Sequence, residues 1–232
     1  MLIIIIRQIS IDYTLRRLAA KCANKHIIER RSNKLNPFQL SMGIAGGAEA
    51  AVHAIWRLTD DLSDDNVLVK LDFVNAFNTV WRDTILDTMA DKAPEIYKFV
   101  LASHSCESKL AFGPYTILSW EGSQQGDPLS ALEYCDAAQP TLLKSKSQTK
   151  LGYMDDLKLK GKIHVIASDI DMIVADAART GLQLNPAKCE IIAVNFNEVE
   201  KYPIFKDFKW IRKEDLTILG TRSWKARLLT RR

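Results

Sequence analysis

The chain has little cysteine, four in 232 residues, and Cys22, Cys106, Cys135 and Cys189 are scattered without a Cys-x-x-Cys pair or a nearby histidine at zinc-ligand spacing. That distribution excludes a disulfide-stapled scaffold and a zinc finger, and it fits a reducing, intracellular compartment, cytoplasmic or nuclear. Long hydrophobic runs are missing as well. The one lipid-like run, Leu2 to Ile6, is too short to span a bilayer and has neither a basic segment before it nor a small-residue cleavage site after it. It is expected to be a core strand with no targeting role, in a protein with no membrane partner. The absence of internal repeats and low-complexity segments excludes a solenoid and makes one continuous unit the expectation.

What is present describes an ordered, folded protein. Hydrophobic residues make up 47% of the chain and the mean hydropathy is -0.10, values of neither a disordered tail nor a membrane bundle. The length suits one domain, or one domain with an appendage. The formal charge of +4 concentrates its positive residues at Arg16-Arg17, Arg30-Arg31, Lys158 to Lys162 and Lys225 to Arg232. Such a balance suits a polyanionic partner.

Local patterning divides the chain. Ala51, Val52, Ile55 and Leu58 recur at helical spacing after Gly46-Gly47 and predict a helix ending near Asp60-Asp61. Val67 to Asp72 is β-branched-rich and nearly uncharged, as a buried strand would be, which leaves Asp72 at the strand's C-terminal end. Helix formers run from Asn75 to Ala90, Pro94 opens another predicted helix through Phe99, and Tyr115 to Trp120 reads as a strand. Two glycines and a proline make Gly122 to Pro128 a loop, with a helix through Leu142-Leu143 after it. Lys150 to Met154 and Leu157 to Lys160 flank Asp155-Asp156 as a tight hairpin with the aspartates at its tip. Val165, Ile166, Ile170, Ile173, Val174 and Ala177 predict a helix up to a Gly181 cap, and Leu182 to Leu184 and Ile191 to Val194 complete the set as strands. This order predicts an α+β fold, an antiparallel central sheet with helices on one face.

If the strand ending in Asp72 and the hairpin carrying Asp155 and Asp156 are neighbours in that sheet, three carboxylates meet. Unpaired, they would repel; clustered carboxylates commonly hold hard divalent cations. Two such ions can stabilise both the attacking and the leaving oxygen of a phosphoryl transfer.

The segments around these aspartates resemble the ordered motif series of the reverse transcriptase family, in particular the enzymes of retrotransposons of the non-LTR type. Leu71-Asp72-Phe73-Val74-Asn75-Ala76-Phe77-Asn78 resembles the first palm motif, Gln124-Gln125-Gly126-Asp127-Pro128-Leu129-Ser130 the second and Tyr153-Met154-Asp155-Asp156 the third. Gly181 to Glu190 is similar to the fourth and Leu216-Thr217-Ile218-Leu219-Gly220 to the fifth, in the same order. Upstream, Arg7 with Leu15 to Lys21, and Gly46 to Ala54, resemble the fingers of retroelement enzymes.

The resemblance implies RNA-directed DNA synthesis on an RNA or DNA template with a primer, from deoxynucleoside triphosphates and two Mg²⁺ ions for which Mn²⁺ can substitute. It implies that Asp72 and Asp155 bind both metals with the Phe73 carbonyl and Asp156 in support. Gln125 and Gly126 would line the nascent base pair, Asn75, Ala76 and Phe77 would contact the incoming nucleotide, and Phe77 would lie beneath its sugar as a steric gate. Lys188 would serve as proton donor to the leaving pyrophosphate, and Arg7 would pack over the nucleotide. Residues 1–66 then correspond to partial fingers, 67–220 to the palm and 221–232 to a basic tail with the thumb absent, as in a fragment of an element. Two departures stand out: Gln8 follows Arg7 where proline is common, and Glu133 and Asp136 fall at places that the family fills with apolar residues. Unpaired, such buried carboxylates cost several kcal/mol, and damaged packing is the expectation. The alternatives are a decayed remnant that only binds nucleic acid and, against Gln125 and Phe77, a two-metal nuclease or cyclase.

Overall fold

The computed structural model describes residues 13–222. A long helix, α1 (Thr14–Leu35), leads into α2 (Gly47–Asp60) and then strand β1 (Asn66–Leu71). A short α3 (Ala76–Thr79), α4 (Arg82–Lys92) and α5 (Tyr97–His104) precede a separate hairpin, β2 (Ser108–Phe112) and β3 (Tyr115–Ser119). After α6 (Ser130–Lys144) come β4 (Thr149–Tyr153), β5 (Asp156–Lys162), α7 (Ile163–Ala178), β6 (Glu190–Ala193) and β7 (Lys209–Trp210).

The central sheet runs β4-β5-β1-β6-β7. Its β4-β5, β5-β1 and β1-β6 pairs are antiparallel, and β7 joins parallel to β6. The nearly uncharged β1 is central because both of its faces are covered. Val67, Val69 and Leu71 pack with Ile166, Ile170 and Ile173 of α7, while Leu68 on the opposite face packs with Ala51, Val52 and Ile55 of α2. The expected α+β fold is present, with α6 and α7 over one face of the sheet; the departure from helices on one face alone is α2, from the segment expected to be fingers, which lies over part of the other. A third apolar cluster joins Ile27 of α1, Ile85 and Met89 of α4 and Leu132 of α6. Among the described residues no helix is long and apolar enough to cross a membrane. Leu2 to Ile6 and the Lys225 to Arg232 tail lie outside the described residues.

The helix expected from Asn75 to Ala90 breaks in two because other segments take its backbone groups: the Val80 carbonyl accepts from Gly122 N at 2.9 Å, and Trp81 N donates to Thr180 O at 2.9 Å. The helix expected to open at Pro94 begins at Tyr97, since Pro94 to Ile96 form a turn with Tyr97 N bonded to Pro94 O at 3.3 Å.

Candidate active site

Asp72 follows β1 directly and is held by what comes after β1 in space. Its amide donates to Cys189 Sγ at 3.4 Å and its carbonyl accepts from Asn185 N at 2.8 Å. Phe73 bridges Leu184, and Val74 N donates to Gln183 O at 2.8 Å. The segment expected to be a strand from Leu182 to Leu184 is thus a short clasp that fixes the chain around Asp72. Burial pushes the Cys189 thiol up to about 12, so it stays neutral beneath Asp72.

The hairpin β4-β5 places Asp155 in its two-residue turn, and Met154 takes the left-handed conformation at φ 56°. Register brings the hairpin to Asp72: the last β1-β5 pair sets Leu71 opposite Leu157, so one step further Asp72 comes level with Asp156. Phe73 and Asp155 also line one small cavity of about 40 Å³, with Tyr134 and Met154 among its walls. Burial first, then the charge of Asp155 and smaller contributions from Cys135 and Asp72, hold the Tyr134 hydroxyl well above its ordinary value.

Two residues without a local sequence signature fix the hairpin tip. Gln39 Oε1 accepts from Met154 N at 2.9 Å and Gln39 Nε2 donates to Met154 O at 3.2 Å, while Ser41 Oγ lies 3.1 Å from Met154 N. Gly152 is required for this fit, because a Cβ there would stand 2.9 Å from Gln39 Nε2.

The Asp156 carboxylate is 2.7 Å from Lys158 Nζ through Oδ2, and its Oδ1 is buried with no hydrogen-bond partner. Among the described residues no three or more His, Cys, Asp or Glu side chains form a group able to hold a metal ion by themselves. The carboxylates instead offer the partial set that suits Mg²⁺, which takes one or two carboxylates and completes its shell with water and substrate phosphates. The residues present fit such an ion, with the orphaned Asp156 oxygen as one donor.

The loop from Gly122 to Pro128 docks on α3: Ser123 N donates to Phe77 O at 2.7 Å. Gln125 is half-buried and Gly126 exposed at φ 111°. Arg16 Nη2 meets Asp127 at 2.9 Å and Asn24 Nδ2 donates to Pro128 O at 3.0 Å, which ties α1 to this loop. Asn75 takes a left-handed φ of 45° at the start of α3, where Ala76 is buried. Phe77 is 8% exposed, its ring 4.8 Å from that of Tyr134. Lys188 is exposed in the turn before Cys189. Arg7 lies outside the described residues.

Two expectations are corrected. Glu133 and Asp136 are buried but not unpaired: Glu133 accepts from Ser123 Oγ at 2.5 Å and meets His104 Nε2 at 3.1 Å, and Asp136 receives both Arg31 Nε, at 3.0 Å, and Arg31 Nη2. Burial pushes Glu133 up, but His104 and Ser123 outweigh it and leave the carboxyl below its ordinary value. The packing is compensated, not damaged. The basic clusters, in turn, are only partly a surface: Lys158 and Lys160 are each 2% exposed, and Arg31 is buried against Asp136.

A family described as "Reverse transcriptase (RNA-dependent DNA polymerase)" matches residues 6–222. No curated protein sequence matches the chain. Among solved structures it is similar to telomerase from Candida albicans in complex with a TWJ fragment of telomeric RNA, at 10% identity and TM-score 0.58, over 89% of this chain and 37% of that one. Apo telomerase from Candida tropicalis matches at 9% identity and TM-score 0.53, over 80% of this chain. The likeness is one of fold, and the chain spans 37% of each of these telomerase chains.

Proposed function

Because the chain belongs to the reverse transcriptase (RNA-dependent DNA polymerase) family, we propose that it performs template-directed DNA synthesis with Asp72, Asp155 and Asp156 as its catalytic carboxylates. Residues 1–66 act in the fingers, 67–220 as the palm and 221–232 as a basic segment beyond it. The observation that carries this reading is the β1-β5 register, which brings Asp72 level with Asp156 beside the turn that holds Asp155.

Asp72 and Asp155, with the Phe73 carbonyl and Asp156, would hold two Mg²⁺ or Mn²⁺ ions, which when bound stabilise the attacking 3′-hydroxyl oxygen and the leaving pyrophosphate. The chain's own groups do the rest. Gln125 and Gly126 line the nascent base pair on a loop that α1 anchors, while Asn75 and Ala76 contact the nucleotide and Phe77 underlies its sugar. Lys188, exposed on the turn beside Asp72, gives a proton to the departing pyrophosphate; Arg7 packs over the incoming nucleotide. Primer and RNA or DNA template are the partners, and deoxynucleoside triphosphates the substrates. The paired Glu133 and Asp136 remove the packing argument for a decayed, merely binding remnant.

Mn²⁺ titration of the folded chain and Mg²⁺-dependent primer extension test this reading together. Asp155→Asn is expected to weaken Mn²⁺ binding and abolish extension. Metal affinity unchanged by Asp155→Asn would refute the site.

A further inference from the structure

Lys158 and Lys160 sit on the same face of β5, equally buried, yet they meet different aspartates. Lys160 Nζ donates to the Asp61 carbonyl at 2.7 Å and to its carboxylate at 2.8 Å, at the C-terminal end of α2. Lys158 Nζ lies 2.7 Å from Asp156. One lysine thus serves the attachment of a helix, and the other belongs to the aspartate cluster.

The charges next to Lys158 form a row across three strands. Lys70 stands opposite Lys158 on β1, and Glu190 stands opposite Lys70 on β6. Lys70 Nζ is 3.4 Å from Glu190 Oε2, so Glu190 is engaged by Lys70, and Asp156 is the carboxylate in direct contact with Lys158. A buried ammonium requires such a partner, because moving it out of water is costly unless an opposite charge meets it. The contact is an ion pair that touches only Oδ2 of Asp156; Lys158 Nζ and Asp156 Oδ1 are both buried with no hydrogen-bond partner.

We propose that Lys158 is a positioning residue, the resident counter-ion of the carboxylate cluster, which balances and orients Asp156 in the absence of divalent cations and leaves it a single oxygen to offer them. This deepens, and rests on, the metal-binding reading of Asp72, Asp155 and Asp156. The same ammonium has opposite effects in the two states. Without metal it offsets repulsion among three carboxylates; with metal it repels the incoming ion. Lys158 therefore makes the metal-free fold firmer and metal binding weaker.

Thermal unfolding in EDTA and in saturating Mn²⁺, with Mn²⁺ titration calorimetry, tests this on the full chain and its Lys158→Met and Lys160→Met variants. Lys158→Met is expected to lose more of its Tm in EDTA than in Mn²⁺ and to bind Mn²⁺ about tenfold more tightly, from removal of one nearby positive charge. Lys160→Met, its control on the same strand, is expected to lose the same Tm in both media and keep the original affinity. A Lys158→Met variant that behaves like Lys160→Met, in a chain that binds Mn²⁺, overturns this proposal alone. An unaltered chain that binds no Mn²⁺ overturns the metal reading and this proposal with it. If Lys158→Met folds in neither medium, the Asp156→Asn, Lys158→Met double variant decides: recovery of the fold supports the pairing, and continued failure overturns it.

Discussion

At Phe77 two demands meet. The ring packs on Tyr134 within the helical core, and in the proposed function it also stands beneath the sugar of the incoming nucleotide, where its volume excludes a 2′-hydroxyl. Phe77→Val is therefore expected to cost about 2 kcal/mol of stability from lost packing and, in primer extension, to raise ribonucleotide over deoxyribonucleotide incorporation. Destabilisation with unchanged sugar selectivity would leave Phe77 a core residue only. Asp136 poses a different question, because its partner Arg31 comes from a helix more than a hundred residues earlier. Truncating one member of a buried ion pair strands the other, so Asp136→Ala is expected to lower unfolding stability by about 3–5 kcal/mol. An Arg31→Met, Asp136→Leu double variant should recover most of it, since an apolar pair of similar volume is often neutral or better. Denaturant melts of the two variants check this; equal losses in both would show that Arg31 does not depend on Asp136.

Elements differ in how far the sequence reveals them. Strand β1 and the β4-β5 hairpin are legible because their signals are local, a β-branched run buried on both faces and a polar pair between apolar flanks. So are the aspartates they carry, although the turn falls one residue earlier than expected, at Met154-Asp155, and Asp156 opens β5 opposite Tyr153. Gln39 and Ser41 are not legible, because their partner is the backbone of Met154 at the far end of the chain's pairing, and nothing in a single glutamine announces such a contact. The same holds for Arg31 and His104, which turn two apparently misplaced carboxylates into satisfied ones, and for β5, whose lysines suit a polyanionic partner in sequence but are buried by the fold. Close approach between elements shows itself through glycine. Gly122 has φ +78°, and a Cβ there would lie 2.4 Å from the Asn78 backbone, where the Gln125 loop docks on α3. Gly122→Ala is expected to cost about 2–5 kcal/mol, combining left-handed strain with overlap that a backbone cannot relieve. Gly46 has φ +68° but no neighbour closer than 3.6 Å, so Gly46→Ala should cost only about 1–2 kcal/mol. Thermal melts of both variants would expose any error: equal losses mean the close approach is not real.

Over the whole molecule, the buried basic residues limit how much of the formal +4 charge is available to a nucleic acid. Binding to a primer-template is expected to weaken linearly in log-log form with salt, with little dependence on sequence. Lys188→Ala, at an exposed position, should reduce that slope by about 1, and Lys160→Met should leave it unchanged. Filter binding over a salt series would reveal the contrary, a slope indifferent to Lys188. The pairing of β1 has a further consequence in time. Its partners β5 and β6 end at Lys162 and Ala193, so the strand is made long before either. Asp155 follows Asp72 by 83 positions, which a ribosome working at about 5–20 residues per second adds in roughly 4–17 s. Through that interval β1 waits without its strand partners, its α7-facing side open to chaperones and to other nascent chains, and the proposed catalytic centre comes into existence only once the hairpin has been made.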